Sequence, residues 1–376
     1  MPIYTQPRMC IHLNRLAENY HALKKTVPFA VSAAVVKNDA YGLGAIAVAR
    51  RLYQEGCRHF FVAHAFEGAQ IRPHVERSDI FVLQGCGADS VDAFKAAHLT
   101  PVISTAKQLR FWQQNATPGI RPIVQVETGL NRLGLGLSEV SALTVEQKKS
   151  FSYVLSHLAC ADEPAHLMNE RQRSAFEAVK TFFPDTPATL SATDGAFLGK
   201  NYHFDMVRFG AGLYGLNPFH PALLGHVWQG QKTSPKNTGG QQGITLKAVM
   251  YVSAPILRIA DLKKGEYVGY GATFQAPKNM KIATVSIGYG DGLPRSLSNT
   301  GCVRINEHLA PIVGRVSMDN IMCDVSDVTA VQEGDYAAVL DDVYTADDMA
   351  AHAGTIGYEI LSNLGKGVRF CKSYIG

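Results

Sequence analysis

Lys37 closes the apolar run Val31-Ser-Ala-Ala-Val-Val36 and is followed at once by the turn residues Asn38 and Asp39, then by Gly42 and Gly44. A lysine that ends a stretch of Ala and Val, with little charge beside it in sequence, can be desolvated enough to act as an amine nucleophile. Taken alone, such a lysine is more often a solvated surface charge. His157 ends another apolar run and has an equally bland reading, a hydrogen-bonded core histidine. Tyr270, set between Gly269 and Gly271, reads in isolation as a hairpin aromatic. Asp162 and Glu163 invite an acid/base pair, but adjacent residues in an extended chain point to opposite faces, so they read as structural or loop residues. The G-L-G-L fragment at 134–137 lacks the third glycine of a dinucleotide loop, and that reading is rejected.

Positioning such groups is the work of the elements around them. Between about residues 10 and 215, short β-branched apolar runs alternate with longer amphipathic segments. Eight runs stand out, at 31–36, 60–63, 80–83, 101–104, 123–127, 153–158, 189–191 and 206–209. Runs of this kind fit strands buried on both faces, and the segments at 45–55, 89–98 and 165–183 carry a helical period. Eight strand-helix repeats predict a closed (β/α)8 barrel, with a doubly wound open sheet as the competing arrangement. Lys37 then lies at the C-terminal mouth of the first strand, the face where such barrels carry their chemistry.

The polar, Gly-rich stretch at 228–243 reads as a linker. After it the pattern changes. Strand-like runs at 245–260, 281–288, 302–305, 310–316, 320–325 and 336–340 predict a mostly antiparallel β domain, closed by helical pieces at 345–353 and 356–365. The expected division is a barrel over residues 10–240 and a β domain over 244–376.

Composition sets outer bounds. The chain has 376 residues, 46% hydrophobic and 18% charged, enough for a large core and too long for one ordinary domain. Lys and Arg total 36 against 32 acids, a net charge of +4, with no block of like charge that would read as a nucleic-acid arm or membrane patch. Small molecules or a second copy are the expected partners. Seven scattered cysteines without a C-x-x-C pair suit a reducing compartment and argue against a disulfide frame or a zinc site. With no signal-like start and no membrane-length apolar run, the expectation is a cytoplasmic protein without metal, nucleic-acid or membrane partners.

Longer strings change the weight of the single residues. A-V-V-K-N-D-A-Y-G-L-G at 34–44 resembles, at nearly every position, the cofactor-attachment segment of alanine racemases, pyridoxal 5'-phosphate (PLP) enzymes of fold type III. S-H-L-A-C-A-D-E at 156–163, M-V-R-F-G-A-G-L-Y-G at 206–215, G-Y-G-A-T-F at 269–274, I-G-Y-G-D-G at 287–292, G-R-V-S-M-D at 314–319 and T-I-G-Y-E at 355–359 resemble other strings of that family. The matches run from Lys37 to Glu359.

The resemblance implies a role for each matching residue. Lys37 would hold PLP as a Schiff base, with Tyr41 and Tyr358 near its phosphate, His157 against its ring and Arg208 facing its pyridine nitrogen. A guanidinium has only donors, so that nitrogen would stay unprotonated, which favours prompt return of a proton over transamination. Thr193 and the backbone near Gly210 would cradle the phosphate. Arg132 and the main chain of Met318 would hold the substrate carboxylate. Tyr270 would oppose Lys37 as the second acid/base, because inverting a stereocentre needs proton removal on one face and return on the other. A phenol is a poor base at neutral pH without a cation beside it, and Arg132 is the candidate.

The sequence departs from the family at two places. Ala192 stands for an asparagine in the phosphate string, and Gln125 for a lysine that many relatives carry as a carbamate. Arg132 would then depend on a neutral amide or a bound anion. The implied activity is interconversion of L- and D-alanine, supplying D-alanine for cell-wall synthesis, in a homodimer whose subunits share active sites. Competing readings are a broader alanine/serine racemase and a non-catalytic PLP-binding protein, although the latter generally stops after the barrel. A decarboxylase of the same layout would need a cysteine-acid motif that Asp291 and Ser317 do not reproduce.

Overall fold

A computed structural model describes residues 5–217 and 244–376; the stretch read as a linker lies outside the described residues. Eight short parallel strands form a ring: Val31–Val35, His59–Val62, Asp79–Val82, Thr100–Ile103, Ile123–Gln125, Tyr153–Leu155, Ala188–Thr189 and Met206–Phe209. The first seven lie side by side in chain order, and the eighth pairs with the first through Val31↔Met206 to Ala34↔Phe209. Closure comes from a parallel bridge between Ala192 and Arg208, with Arg208 N–H donating to the Ser191 carbonyl at 3.1 Å. The strands are buried on both faces, which is why each reads in sequence as an unbroken apolar run. The open-sheet alternative is set aside by that closure.

Helices Ala45–Gln54, Ala106–Asn115 and Leu167–Lys180 cover the outside of the ring. Helix Leu13–Thr26 precedes the first strand, and its buried Asn19 pins the exit of the barrel. Asn19 Nδ2 donates to the carbonyls of Leu213 (3.1 Å) and Lys247 (2.8 Å), and Oδ1 accepts from Lys247 N–H at 2.8 Å.

The second unit is a mostly antiparallel sheet built on the long strand Met250–Leu262, which pairs with Met280–Val285 and Tyr336–Leu340. Strand Arg8–His12, at the other end of the described chain, also pairs with it, so the second sheet recruits residues that precede the barrel. Strand Cys371–Ile375 then adds to Arg8–His12 in parallel. Helices Ala346–Ala353 and Gly357–Gly365 close the unit, the first with a capping box between Thr345 and Asp348. The strand expected at 310–316 is shorter and earlier, His308–Pro311, because Gly314 turns the chain at φ +79°. The G-R-V-S-M-D string is thus a turn rather than strand.

One continuous apolar cluster runs from Met9 through the barrel to Leu364, uniting both units. At Gly42 they meet backbone to backbone. A Cβ on Gly42, where φ is +87°, would meet the Gly365 Cα at 2.6 Å.

Candidate active site

A cavity of about 830 Å³ opens at the C-terminal mouth of the barrel. Lys37, Tyr41, Arg132, His157, Thr193, Arg208, Gly210 and Tyr358 all line it, together with Gln125 and Ala192. Each lies near a strand end or, like Arg132, on the loop that follows one, except Tyr358, which helix Gly357–Gly365 brings in from the second unit.

Lys37 leaves its strand and enters a turn in which Asn38, Asp39, Ala40 and Tyr41 all adopt left-handed φ values between 53° and 58°. Four consecutive non-glycine residues in that region cost conformational energy, so the turn must be held by its surroundings. Asp39 Oδ1 accepts from Ala45 N–H at 2.7 Å, and Glu67 accepts from the N–H groups of Asn38, Ala63 (2.7 Å) and His64 (2.9 Å). The Lys37 amine is half-buried, and its pKa lies below the ordinary lysine value. Burial is the main cause, Arg132 and Arg208 add to it, and Glu67 opposes.

Arg208 is buried on the far wall. Nη1 donates to Thr189 Oγ1 at 2.6 Å, and Nη2 reaches the carbonyls of Ser156 (2.8 Å) and Leu190 (3.0 Å) and His157 Nδ1 (3.2 Å). None of these partners is a carboxylate. Burial draws the guanidinium down to about 9, still charged at neutral pH. His157 is driven down to about 3 by burial and by Arg208, Arg132 and Lys37, so its ring is neutral and Nδ1 is an acceptor.

Thr193 Oγ1 accepts from Gly210 N–H (3.1 Å) and Gly212 N–H (3.4 Å). An oxygen already accepting twice keeps its own proton to give, and here the cavity is in reach. Gly210 leaves room for Tyr41, since a Cβ there would stand 2.6 Å from the phenol oxygen. The Tyr41 ring packs on Tyr214 and Tyr358, with centroids 4.7 and 6.0 Å apart.

Gln125 does not reach the Arg132 guanidinium. It accepts from Ser104 Oγ at 3.2 Å and donates to the Leu133 carbonyl at 3.0 Å, so it holds the loop's backbone. Arg132 is exposed, its main-chain N–H bonded to Glu127 Oε2 at 3.3 Å.

Tyr270 and Met318 are elsewhere. Tyr270 sits in a short hairpin, Tyr267–Val268 with Phe274–Gln275, and is 73% exposed; Met318, on the turn at 317–320, is 54% exposed. The hairpin packs beside Arg315, so the two strings share one surface of the second unit. Neither residue lines the cavity of its own chain.

Sequence reasoning assigned no site role to three carboxyls that line it, Asp162, Asp194 and Asp347. Asp162 was legible only if the chain after residue 158 is not extended, and it is not: strand Tyr153–Leu155 has already ended. Glu163 is exposed, as expected of a loop residue.

The cavity's donor set suits a phosphorylated aromatic aldehyde: an amine of lowered pKa, a flat neutral imidazole, a guanidinium without an acid partner, and hydroxyls with backbone N–H groups at one end.

Known proteins resemble the chain over almost its whole length. Residues 11–218 match the model of the alanine racemase N-terminal domain, and residues 249–372 that of the C-terminal domain. A catabolic alanine racemase of Agrobacterium fabrum is 37% identical, the match covering 98% of this chain and 92% of that protein. An alanine racemase of Rickettsia peacockii is also 37% identical, over 97% and 98%. A crystal structure of the Bartonella henselae alanine racemase with covalently bound pyridoxal phosphate superposes with a TM-score of 0.88 at 32% identity, covering 99% of this chain and all of that one.

Proposed function

This chain belongs to the alanine racemase family, and on that premise we propose that it interconverts L- and D-alanine with PLP, using Lys37 and Tyr270 as the two proton carriers. The observation that carries this reading is the half-buried Lys37 amine facing a cavity whose opposite wall is an arginine without an acid partner.

When bound, PLP supplies an electron-withdrawing aldehyde that joins an amine and acidifies the Cα–H of an amino acid. Lys37 would hold it, with Thr193, Gly210, Tyr41 and Tyr358 at the phosphate and His157 along the ring. Arg208 would face the pyridine nitrogen and, having only N–H donors and not giving up its proton, keep that nitrogen an acceptor; this moderates electron withdrawal and favours return of the proton. Arg132 and the Met318 main chain would fix the substrate carboxylate. Lys37, its pKa lowered by burial, is fitted to exchange a proton at Cα on one face. Tyr270 would do so on the other, with Arg132 as the cation that favours the phenolate.

For Tyr270 to face Lys37, the exposed surface bearing Tyr270 and Met318 must enter the cavity of a second copy. A homodimer with shared sites follows as part of the proposal, supported by the exposure of both residues. We also assign the protein to the cytoplasm and its product to cell-wall synthesis. The first is supported by seven free cysteines, and no helix among the described residues is long and apolar enough to cross a membrane.

Deuterium exchange at Cα, followed by proton NMR with each enantiomer, tests the scheme. Wild-type protein should exchange both, Lys37→Ala neither at more than a trace, and Tyr270→Phe should lose racemisation in both directions. Two-way turnover by Lys37→Ala at the wild-type rate would end the mechanism.

A further inference from the structure

The phosphate end of the cavity contains a group that a phosphate dianion should reject. Asp194 follows Thr193 directly and lines the cavity; its Oδ1 is sealed from solvent and has no hydrogen-bond partner. The groups that act on it are Asp162 and Asp347, two more carboxyls on the cavity wall, and the phenols of Tyr41 and Tyr358. No lysine or arginine is among them. Lys37, Arg132 and Arg208 act on one another and on His157 instead. A charged carboxylate there has the Tyr358 hydroxyl but no cation to stabilise it.

We propose that Asp194 is part of the phosphate-binding site as an acid, and that PLP binds with uptake of one proton from solvent, held between the Asp194 carboxyl and a phosphate oxygen. This rests on the cradle of Thr193 and Gly210 proposed above. The balance is simple. Two anions, a carboxylate and a phosphate, become one acid donating its O–H to one anion, and the added proton reduces their joint negative charge by one. Burial, and after it Asp162, push the free carboxyl up to about 7, with Tyr358 opposing and Asp347 adding. The proton is therefore within reach of the neutral range.

Calorimetric titration of the full-length chain, stripped of cofactor, with PLP in buffers of different ionisation enthalpy counts the protons taken up. The same is done for Asp194→Asn, which keeps the shape and a donor but cannot titrate, and for Asp194→Ser in case the amide variant folds poorly. At pH 8 the wild type should take up about one proton more per site than either variant, the excess shrinking toward zero at pH 6. Its affinity should fall relative to Asp194→Asn by up to about tenfold per pH unit above 7. Protons exchanged at Lys37 are common to all three chains and cancel.

Equal counts at pH 8 overturn the proposal, as does an equal excess with pyridoxal lacking the phosphate. Thr193→Ala separates the underlying reading: it should weaken PLP binding and leave pyridoxal binding unchanged. If it weakens both equally or neither, the cradle is misplaced, and the assignment of Asp194 falls with it.

Discussion

His157 shows how far one side chain can be set by its neighbours. Its folded pKa of about 3 lies well below the ordinary histidine value, chiefly through burial and secondarily through Arg208. The unfolded chain therefore binds more protons than the folded one between about pH 3 and 6.5. Stability contributed by the neutral ring is present above that window and is lost as pH falls through it. Replacing His157 with Asn, which can still accept from Arg208, should flatten the stability profile of the cofactor-free protein between pH 4 and 6.5. The wild type should lose up to about 3 kcal/mol more across that range in urea titrations. A difference that stays constant with pH would mean that the imidazole is protonated in the folded state. Arg208 itself, committed to Thr189, Ser156 and Leu190, is why the ring keeps one tautomer, with its acceptor nitrogen toward the guanidinium.

At the scale of elements, the left-handed turn after Lys37 needs a support outside itself, and the C-terminal strand provides it. Lys372 Nζ donates to the Gly42 carbonyl at 2.8 Å, and the Tyr374 hydroxyl lies so near Gly44 that an added Cβ would stand 2.1 Å from it. Lys372→Met removes a charged donor from a half-buried carbonyl. It should cost about 1–2 kcal/mol of stability and speed amide exchange at residues 38–44, while Lys372→Arg restores part of both. Unchanged exchange in that turn would show that the strand is not its support. No feature of C-K-S-Y-I announces this strand. It is an exposed edge with polar residues on both faces, paired only with Arg8–His12, itself five residues long. The barrel strands were legible for the opposite reason: burial on both faces leaves an unbroken apolar run, and all eight fall where the pattern puts them, the sixth ending three residues early at Leu155. Lys37, His157 and Arg208 were legible because they end such runs or lie within them. Asp194 and Asp162 were not, since only the fold brings the loops after strands six and seven to one wall.

The whole molecule poses a question of completeness, because the cavity that holds Lys37 lacks Tyr270. Nearly three quarters of the Tyr270 surface is exposed on a unit whose own sheet is already packed, and the neighbouring Tyr267, Tyr289 and Met318 are exposed as well. Apolar groups displayed together on a folded surface usually meet a partner. In the proposed two-fold arrangement the contact would be reciprocal, so each cavity would receive the other subunit's tyrosine. Mixing variants reads this out directly. Lys37→Ala and Tyr270→Phe chains, each inactive alone, should form mixed dimers after unfolding and refolding together. One site of each mixed dimer then carries both substitutions, and the other carries neither. Random pairing of equal amounts places one intact site in about half of the dimers, so about a quarter of wild-type activity should return. If both residues came from the same chain, every site would carry one substitution or the other, and refolding the mixture would restore nothing.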